Sequence, residues 1–208
     1  MTPRNSIARG KASAGWKESA LHIFQLPLRT IHENEPGMAA GLSHSVVIPY
    51  SWICRTILGM ISDLDAMRTA LAEARKSAEA GEVPIGAVVV HDGVIIAHGQ
   101  NSVIRTSDPT AHAEIVAMRH AANVLGNYRL TGCILYVTLE PCAMCAGAMI
   151  HARVDRLVYS TPDPKAGACG SVLSVLNHPQ LNHQTKIGQG ILSDESSNLL
   201  RSFFRERR

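Results

Sequence analysis

The sequence predicts a layered α/β domain in which helices pack on a β-sheet, and three observations support this prediction. Segments with helical periodicity alternate with short β-branched runs from about Ser62 to Arg207. Hydrophobic residues make up 46% of the chain and charged residues 18%, which is typical of a globular protein and not of a disordered or fibrous one. The length of 208 residues fits one domain of ordinary size with an extension.

Residues 1–60 differ from the rest of the chain. They show no sustained period and carry six basic against three acidic residues, whereas residues 61–208 carry 14 of each. We therefore expect residues 1–60 to be a disordered extension and residues 61–208 to be the folded domain. The extension is interpreted either as a targeting peptide or as sequence upstream of a true start at Met60. The late start is favoured, because no amphipathic Arg/Ser helix is evident.

The first predicted helix runs from Ser62 to about Ala80. Ser62 and Asp65 fit a capping box at its start, and Gly81 ends it. Apolar residues recur along it at spacings of three and four: Leu64, Met67, Leu71, Ala74 and Ala78. The spacing predicts an amphipathic helix.

A β-hairpin is predicted after this helix. Two β-rich runs, Gly86–Val90 and Val94–His98, are joined by a short link that contains Asp92 and Gly93, a pair typical of tight hairpin turns. A polar loop follows at Asn101–Thr110. The remaining predicted elements alternate between helix and strand: about His112–Val124, Cys133–Thr138, Cys142–Ala152, Arg156–Ser160 and Ser193–Arg207.

The chain has five cysteines and no clear secretory signal, which disfavours a disulfide framework and favours metal ligands or buried thiols in a reducing compartment. No apolar run reaches the roughly 18–20 residues that a membrane-spanning helix needs. We expect a cytoplasmic protein, and organellar targeting by residues 1–60 remains open. The charge of residues 61–208 is balanced, so bulk charge gives no argument for a polyanionic partner.

Two short segments carry the predicted chemistry: Thr110-Ala-His112-Ala-Glu114 and Glu140-Pro-Cys142-Ala-Met-Cys145. Each opens a predicted helix, where free N–H groups and the helix dipole favour thiolate over thiol. His112, Cys142 and Cys145 are predicted to hold one zinc ion, and three protein ligands leave a fourth position open, as in catalytic sites. Singly, each residue would more often be a core or capping residue. Together, at this spacing, they indicate a metal site and not three unrelated core or capping residues.

Glu114 is too close in sequence to His112 to be an easy second ligand, and we expect it to move protons beside the metal. Zinc lowers the pKa of a bound water towards 7, so hydroxide can attack at neutral pH. The spacing His-x-Glu with Pro-Cys-x-x-Cys is the pattern of zinc-dependent deaminases. Cys133 is interpreted as a core residue on a strand, and Cys169 as incidental.

From about Ser62 to Arg208 the chain resembles the bacterial tRNA-specific adenosine deaminases, which convert the wobble adenosine of a tRNA anticodon to inosine. The segments that carry the resemblance extend over nearly the whole domain: Glu82-Val-Pro-Ile-Gly-Ala-Val, Asp108-Pro-Thr-Ala-His-Ala-Glu, Asn127-Tyr-Arg-Leu, Leu135-Tyr-Val-Thr-Leu-Glu-Pro-Cys-Ala-Met-Cys, Asp163-Pro-Lys-Ala-Gly-Ala-Cys-Gly-Ser and Leu176-Asn-His-Pro. Residues 1–60 match nothing in that family.

The resemblance implies a cytidine deaminase-like three-layer α/β/α sandwich with a mixed central sheet, a homodimer, and one zinc ion per subunit. It implies attack on carbon 6 of a flipped-out adenine with loss of ammonia. It also implies that Asn101 contacts the flipped base, and that Asp163 and Lys165 meet anticodon nucleotides of the tRNA. Nucleotides of an anticodon loop are already single-stranded, so turning one outwards costs little.

Two other functions stay open at this point. The metal pattern alone is shared with deaminases of free nucleosides, bases or nucleotides, such as cytidine and guanine. A catalytically inactive RNA-binding subunit is a third possibility, but such a subunit has no need for Glu114. A basic cluster at the end of the chain either contacts tRNA phosphates or only satisfies the last helix carbonyls and solvates the tail: Arg201, Arg205, Arg207 and Arg208.

Overall fold

The structure is a computed structural model that describes residues 60–207. Within this range the chain forms an α/β domain with a five-stranded sheet, and helices cover both of its faces. The expected α/β/α sandwich is thereby confirmed. The prediction for the extension falls outside the described range except at Met60, and it stays a prediction.

The elements follow each other along the chain as α1 (Asp63–Glu79), β1 (Gly86–His91), β2 (Val94–Gln100), α2 (Val103–Thr106), α3 (Ala113–Leu125), β3 (Cys133–Leu139), α4 (Ala143–Ala152), β4 (Arg156–Thr161), β5 (Lys186–Gln189) and α5 (Ser193–Arg205). No helix among residues 60–207 is both long and apolar enough to cross a membrane.

The sheet is mixed and has the strand order β2-β1-β3-β4-β5. Strand β1 pairs antiparallel with both β2 and β3, whereas β3, β4 and β5 run parallel to one another. The central strand β3 therefore separates an antiparallel half from a parallel half. Its last residue, Leu139, lies three residues before Cys142, which places the second motif at the carboxyl end of the middle of the sheet.

Two apolar cores fill the layers on either side of the sheet. Helices α3 and α4 pack against one face, where the buried side chains include Met118, Leu135 and Met149. Helix α1 packs against the other face over Val88 and Tyr136. Alternate residues of each strand point to opposite faces, so neighbouring strand residues belong to different cores.

Helix α1 begins and ends as the sequence predicts. The Ser62 hydroxyl oxygen accepts a hydrogen bond from the Asp65 backbone N–H at 3.1 Å and caps the helix, and Gly81 adopts a φ of +81° just after its end. The prediction is wrong at Leu64, which is 39% exposed. The buried stripe begins later, because Ala66 and Met67 are the first residues that face the sheet.

Two glycines allow helices to lie directly on the sheet. A Cβ atom on Gly99 of β2 would lie 2.6 Å from the Ala117 nitrogen of α3, and one on Gly86 of β1 would lie closer still to the Ala70 carbonyl oxygen of α1. Real Cβ atoms do not approach backbone so closely. These positions accept only glycine, because the helix backbone occupies the space of a side chain.

The predicted hairpin is confirmed, with Asp92 and Gly93 both at positive φ, as a type I′ turn requires. Two elements differ from the prediction. The polar loop contains the short helix α2, which is closed by a left-handed Ser107. Strand β5 was not predicted, because its four half-exposed residues show no clear alternation and are paired only with β4 at the sheet edge.

A bidentate ion pair ties the start of α1 to the sheet. Both guanidinium nitrogens of Arg156 donate to the Asp63 carboxylate, at 3.0 and 2.6 Å, and the Tyr136 hydroxyl donates to it at 2.6 Å. The hydrogen bond from Arg156 holds the pKa of Asp63 below its usual value, although partial burial opposes the shift. One carboxylate thus connects α1, β3 and β4.

Candidate active site

The two motif segments open helices α3 and α4. His112 is the N-cap residue of α3 and Cys142 is the N-cap residue of α4, and both have extended backbone angles. An N-cap side chain usually bonds to its own helix, but neither of these does so. Both side chains are free to meet between the two helix N-termini.

His112, Cys142 and Cys145 form one cluster. The His112 Nδ1 atom lies 3.7 Å from the Cys142 Sγ atom and 3.6 Å from the Cys145 Sγ atom, and the three ligand atoms all lie within 4.8 Å of one another. A tetrahedral zinc ion with bonds of about 2.0 Å to nitrogen and 2.3 Å to sulfur would separate these atoms by about 3.5 Å. The donor set and its spacing fit zinc.

The electrostatics of the cluster favour a negatively charged sulfur. Hydrogen bonds from Cys145 and His112 lower the pKa of the Cys142 thiol to about 3, and the same Cys142 raises the pKa of His112. The pKa of Cys145 is raised, because it is buried and donates to the Cys142 sulfur. A bound cation would displace the thiol proton of Cys145, because cysteine binds metals as the thiolate.

Glu114 lies in the first turn of α3, beside this cluster, and is only 4% exposed. Burial raises the pKa of its carboxyl, while the nearby His112 opposes the shift. Its Oε2 atom is buried and has no hydrogen-bond partner among residues 60–207. An unpartnered buried carboxylate oxygen is costly to the fold, so the described residues leave Oε2 available to a bound water or a substrate group.

Asn101 lies at the end of β2 and is 5% exposed. Its backbone N–H donates to the Ile85 carbonyl at 3.0 Å, and its Nδ2 atom donates to the Glu82 carboxylate at 3.4 Å. Glu82 is 1% exposed and also accepts from the Arg105 N–H. Since a carboxylate only accepts, Glu82 fixes the nitrogen end of the Asn101 amide towards itself and leaves the Oδ1 end for another contact.

Asp163 and Lys165 lie in the loop that follows β4, which we call the 162–171 loop. The Asp163 carboxylate accepts from the Lys165 backbone N–H at 2.9 Å, and both residues line a cavity of about 960 Å³ between this loop and α5. Three basic residues of the predicted cluster line the same cavity: Arg201, Arg205 and Arg207. Arg208 lies outside the described residues.

The structure therefore groups the predicted residues in two places. The zinc ligands and Glu114 meet at the helix N-termini, and Asp163 and Lys165 meet in the cavity beside α5. None of the three predicted ligands lines that cavity. The cavity and Asn101 are connected through Ile85, which lines the cavity and bonds to the Asn101 backbone.

The sequence did not reveal two buried carboxylates beside the predicted site residues. Glu82 orients Asn101, and Glu140 holds the 162–171 loop through backbone N–H groups. Both stand in motif segments, but nothing in the order of the residues says where each carboxylate points. The sequence contained one indication of their role. Glu82 directly precedes an apolar run and Glu140 directly precedes a proline, so neither lies on the solvent-exposed face of a predicted helix.

The chain was compared with known protein families and curated proteins. The family model of the MafB19-like deaminases matches residues 61–208. A tRNA-specific adenosine deaminase of Haemophilus influenzae is 48% identical over 147 residues, which cover 70% of this chain and 85% of that protein. A chloroplastic tRNA(adenine(34)) deaminase of Arabidopsis thaliana is 42% identical over 158 residues, 68% of this chain but 12% of that much longer protein.

A solved structure is also similar. It comes from a study of A-to-I editing by deaminases that act at the wobble position of transfer RNA. It is 46% identical in sequence, with a TM-score of 0.64, and the match covers 65% of this chain and 99% of that one.

Proposed function

Since the chain belongs to the family of tRNA-specific adenosine deaminases, we propose that it converts the wobble adenosine of a tRNA anticodon to inosine, with uptake of water and release of ammonia. The observation that carries the proposal is the joint placement of His112, Cys142 and Cys145 beside the orphaned oxygen of Glu114. A deaminase needs a metal-holding cluster and a proton carrier within reach of it.

His112, Cys142 and Cys145 are the residues that would hold one zinc ion in each subunit. Zinc at this cluster supplies the Lewis acidity that makes water a nucleophile at neutral pH. The chain supplies the N-termini of α3 and α4, whose N–H groups and dipoles stabilise the thiolates of the ligands.

Glu114 is proposed as the proton carrier. Its orphaned Oε2 takes one proton from the attacking water and delivers it to the adenine ring nitrogen. Glu114 then takes the second proton from the hydroxyl that the water has become on carbon 6 and delivers it to the leaving amine. Burial raises its pKa, so the carboxyl can hold a proton between these two transfers. Adenosine and water enter, inosine and ammonia leave, and Glu114 ends the cycle in its initial state.

Asn101 is proposed to contact the flipped base. Glu82 holds the amide nitrogen, so the Oδ1 atom is free to accept a hydrogen bond from a donor on the base. Asp163 and Lys165, with the basic residues of α5 around the same cavity, are proposed to contact the neighbouring anticodon nucleotides. Apolar cavity walls such as Phe204 offer stacking surface, and the guanidinium groups offer phosphate contacts.

A homodimer is proposed as the working unit. A groove of about 400 Å³ beside α3 and α4 has an apolar floor that includes Ile115 and Met118, and the large side chains of Tyr128 and Met144 stand exposed at it. Exposed apolar surface of this kind is typical of an interface. Met144→Asp should shift the mass measured by light scattering towards that of a monomer.

We propose a cytoplasmic location and translation from Met60. Mass spectrometry of the protein isolated from its native cells tests the second part, because tryptic peptides from residues 1–59 would overturn it. Peptides that begin at residue 60, or at residue 61 after loss of Met60, would support it.

The function is tested with an anticodon stem-loop RNA that carries adenosine at the wobble position. We expect inosine to appear at that position by nuclease digestion and mass spectrometry, and ammonia to form in equal amount. A stem-loop with guanosine in place of the wobble adenosine is the matched control and should not react. Free adenosine, cytidine and guanine are incubated in parallel, and turnover of these alone would make the protein a deaminase of small molecules.

A further inference from the structure

Glu140 is a buried carboxylate that the mechanism above does not use. It is 2% exposed. In the sequence it directly follows the end of β3 and is separated from the predicted ligand Cys142 by Pro141 alone. Every hydrogen bond recorded for its side chain comes from the 162–171 loop. No basic side chain among residues 60–207 pairs with it in a salt bridge.

The loop encloses this carboxylate with backbone donors. The Oε2 atom accepts from the Asp163 N–H at 3.0 Å, and the Oε1 atom accepts from the Cys169 N–H at 2.8 Å and the Ser171 N–H at 3.2 Å. The Ser171 hydroxyl donates to Oε2 as well. The first and last of these donors are eight residues apart, so one carboxylate spans nearly the whole loop.

The backbone around Glu140 joins the same two segments. The Glu140 N–H donates to the Thr161 carbonyl at 2.8 Å, the Ala168 N–H donates to the Pro141 carbonyl at 2.8 Å, and Cys142 forms a bridge with Gly167. The turn that presents the metal ligands and the loop that presents Asp163 are therefore one connected unit, and the Glu140 carboxylate lies at its centre.

Gly167 makes room for the carboxylate. A Cβ atom at this position would lie 2.6 Å from the Asp163 carbonyl oxygen and closer still to the Glu140 carboxylate. The φ of Gly167 is not positive, so the need for glycine comes from this contact and not from its backbone angles.

We propose that Glu140 is a positioning residue whose carboxylate fixes the 162–171 loop against the metal-ligand turn, and so sets Asp163 and Lys165 for the RNA. The inference rests on the proposed function, because it gives the loop an RNA substrate to meet. It assigns Glu140 to substrate binding and not to holding zinc or to the chemical step.

The test uses Glu140→Gln and Glu140→Ala in the full chain with zinc bound. The amide oxygen of glutamine can take the place of Oε1, which has two backbone donors, but its NH₂ group then faces the Asp163 N–H. We expect KM for the anticodon stem-loop to rise on the order of ten-fold in Glu140→Gln, since a charge-assisted hydrogen bond is lost. We expect kcat to change much less and zinc content to stay that of the wild type.

Hydrogen exchange of the loop amides gives a readout that does not depend on activity. In Glu140→Gln the Asp163 N–H should exchange faster, while those of Cys169 and Ser171 remain more protected. In Glu140→Ala all three should exchange faster. The exposed Glu79→Gln at the end of α1 is the matched control and should change neither exchange nor KM.

Gly167→Ala approaches the same contact from the loop side. It should raise KM as Glu140→Gln does. Combined with Glu140→Ala it should raise KM by less than the product of the two single effects, because the carboxylate is already gone and only the contact with the Asp163 carbonyl oxygen remains. Unchanged exchange and KM in Glu140→Gln would overturn the inference, as would a loss of zinc with intact loop protection. A wild-type protein without activity on the RNA would overturn the proposed function instead, and the exchange experiment would still test the anchoring of the loop.

Discussion

Single residues of the site keep polar atoms available for a ligand because of where the fold places them. The side chains of His112 and Cys142 are available to a metal ion because both residues occupy N-cap positions without bonding to their own helices. Asn101 is oriented by Glu82, and Glu114 is buried with one oxygen unpartnered. The fold thus gives up some stability where the chemistry needs an unsatisfied group.

Glu114→Ala tests the role of the unpartnered Glu114 carboxylate. We expect kcat on the stem-loop RNA to fall by about 10² to 10⁴, the usual contribution of a positioned acid–base group. The zinc content should stay unchanged, and the melting temperature should not fall, because the variant removes a buried oxygen whose lack of a partner costs about 1–3 kcal/mol.

The matched control is Glu195→Gln, at an exposed position in the first turn of α5. Full activity in Glu114→Ala would contradict its role as proton carrier. Loss of zinc from the same variant would mean that Glu114 acts on the metal ligands and not on the substrate.

The sequence predicted the residues with chemical character and missed those that orient them. The spacing of His112, Glu114 and the two cysteines is local to each helix start, so it can be read along the chain. The partners of Glu82 and Glu140 lie 19 to 31 residues away in sequence. Such hydrogen bonds depend on the tertiary arrangement, which no local pattern encodes.

At the scale of elements, the close contact of α3 with β2 brings His112 to the sheet. Gly99→Ala should push the two apart, because its Cβ would lie 2.6 Å from the Ala117 nitrogen. We expect a loss of about 1–3 kcal/mol in the free energy of unfolding, measured by urea denaturation.

Gly147→Ala is the matched control for that change. Gly147 lies inside α4, and a Cβ atom there would have no other atom within 4 Å. The same substitution should therefore stabilise the protein, by about 0.5–1 kcal/mol, through helix propensity. A Gly99→Ala variant as stable as the wild type would contradict the close packing of α3.

The ion pair of Asp63 with Arg156 gives α1 a pH-dependent anchor. The hydrogen bond from Arg156 holds the pKa of Asp63 in the folded state below its value in an unfolded chain. The stability it contributes is therefore present above about pH 4 and is lost as the pH falls through the lower pKa of the folded state.

Asp63→Asn should lower the free energy of unfolding at pH 7 by about 1 kcal/mol, a modest value because the pair is partly exposed. Urea denaturation of both proteins between pH 7 and pH 3 should show this difference shrinking below pH 4. A difference that grows towards pH 3 would contradict the assigned direction.

Element boundaries were predicted well where a helix or turn has its own local chemistry. Ser62, Gly81 and the Asp92-Gly93 turn fixed three of them. Strand β5 lacked such local features, because pairing with β4 and not its own residues makes it a strand.

At the scale of the whole molecule, zinc is expected to stabilise the fold, because its ligands are brought together only in the folded state. Removal of the metal by a chelator should lower the melting temperature by about 5–10 °C, if the metal is present at roughly 100 times its dissociation constant. Differential scanning calorimetry with and without chelator measures the shift.

Cys145→Ala is the control, since a site with two ligands should bind zinc too weakly to respond to the chelator. Cys133→Ala should respond as the wild type does, because Cys133 is buried on β3 away from the cluster. An unchanged melting temperature after the metal has been removed would contradict the link between the site and the fold.

The Asp63–Arg156 pair also has a consequence for the order in which the protein can fold. Its partners are 93 residues apart, so the start of α1 leaves the ribosome long before the strand that anchors it. Helix α1 can settle on the β1–β2 hairpin early, but its first turn must wait for β4. Among the helices of residues 60–207, the first to be synthesised is thus among the last to be fully secured.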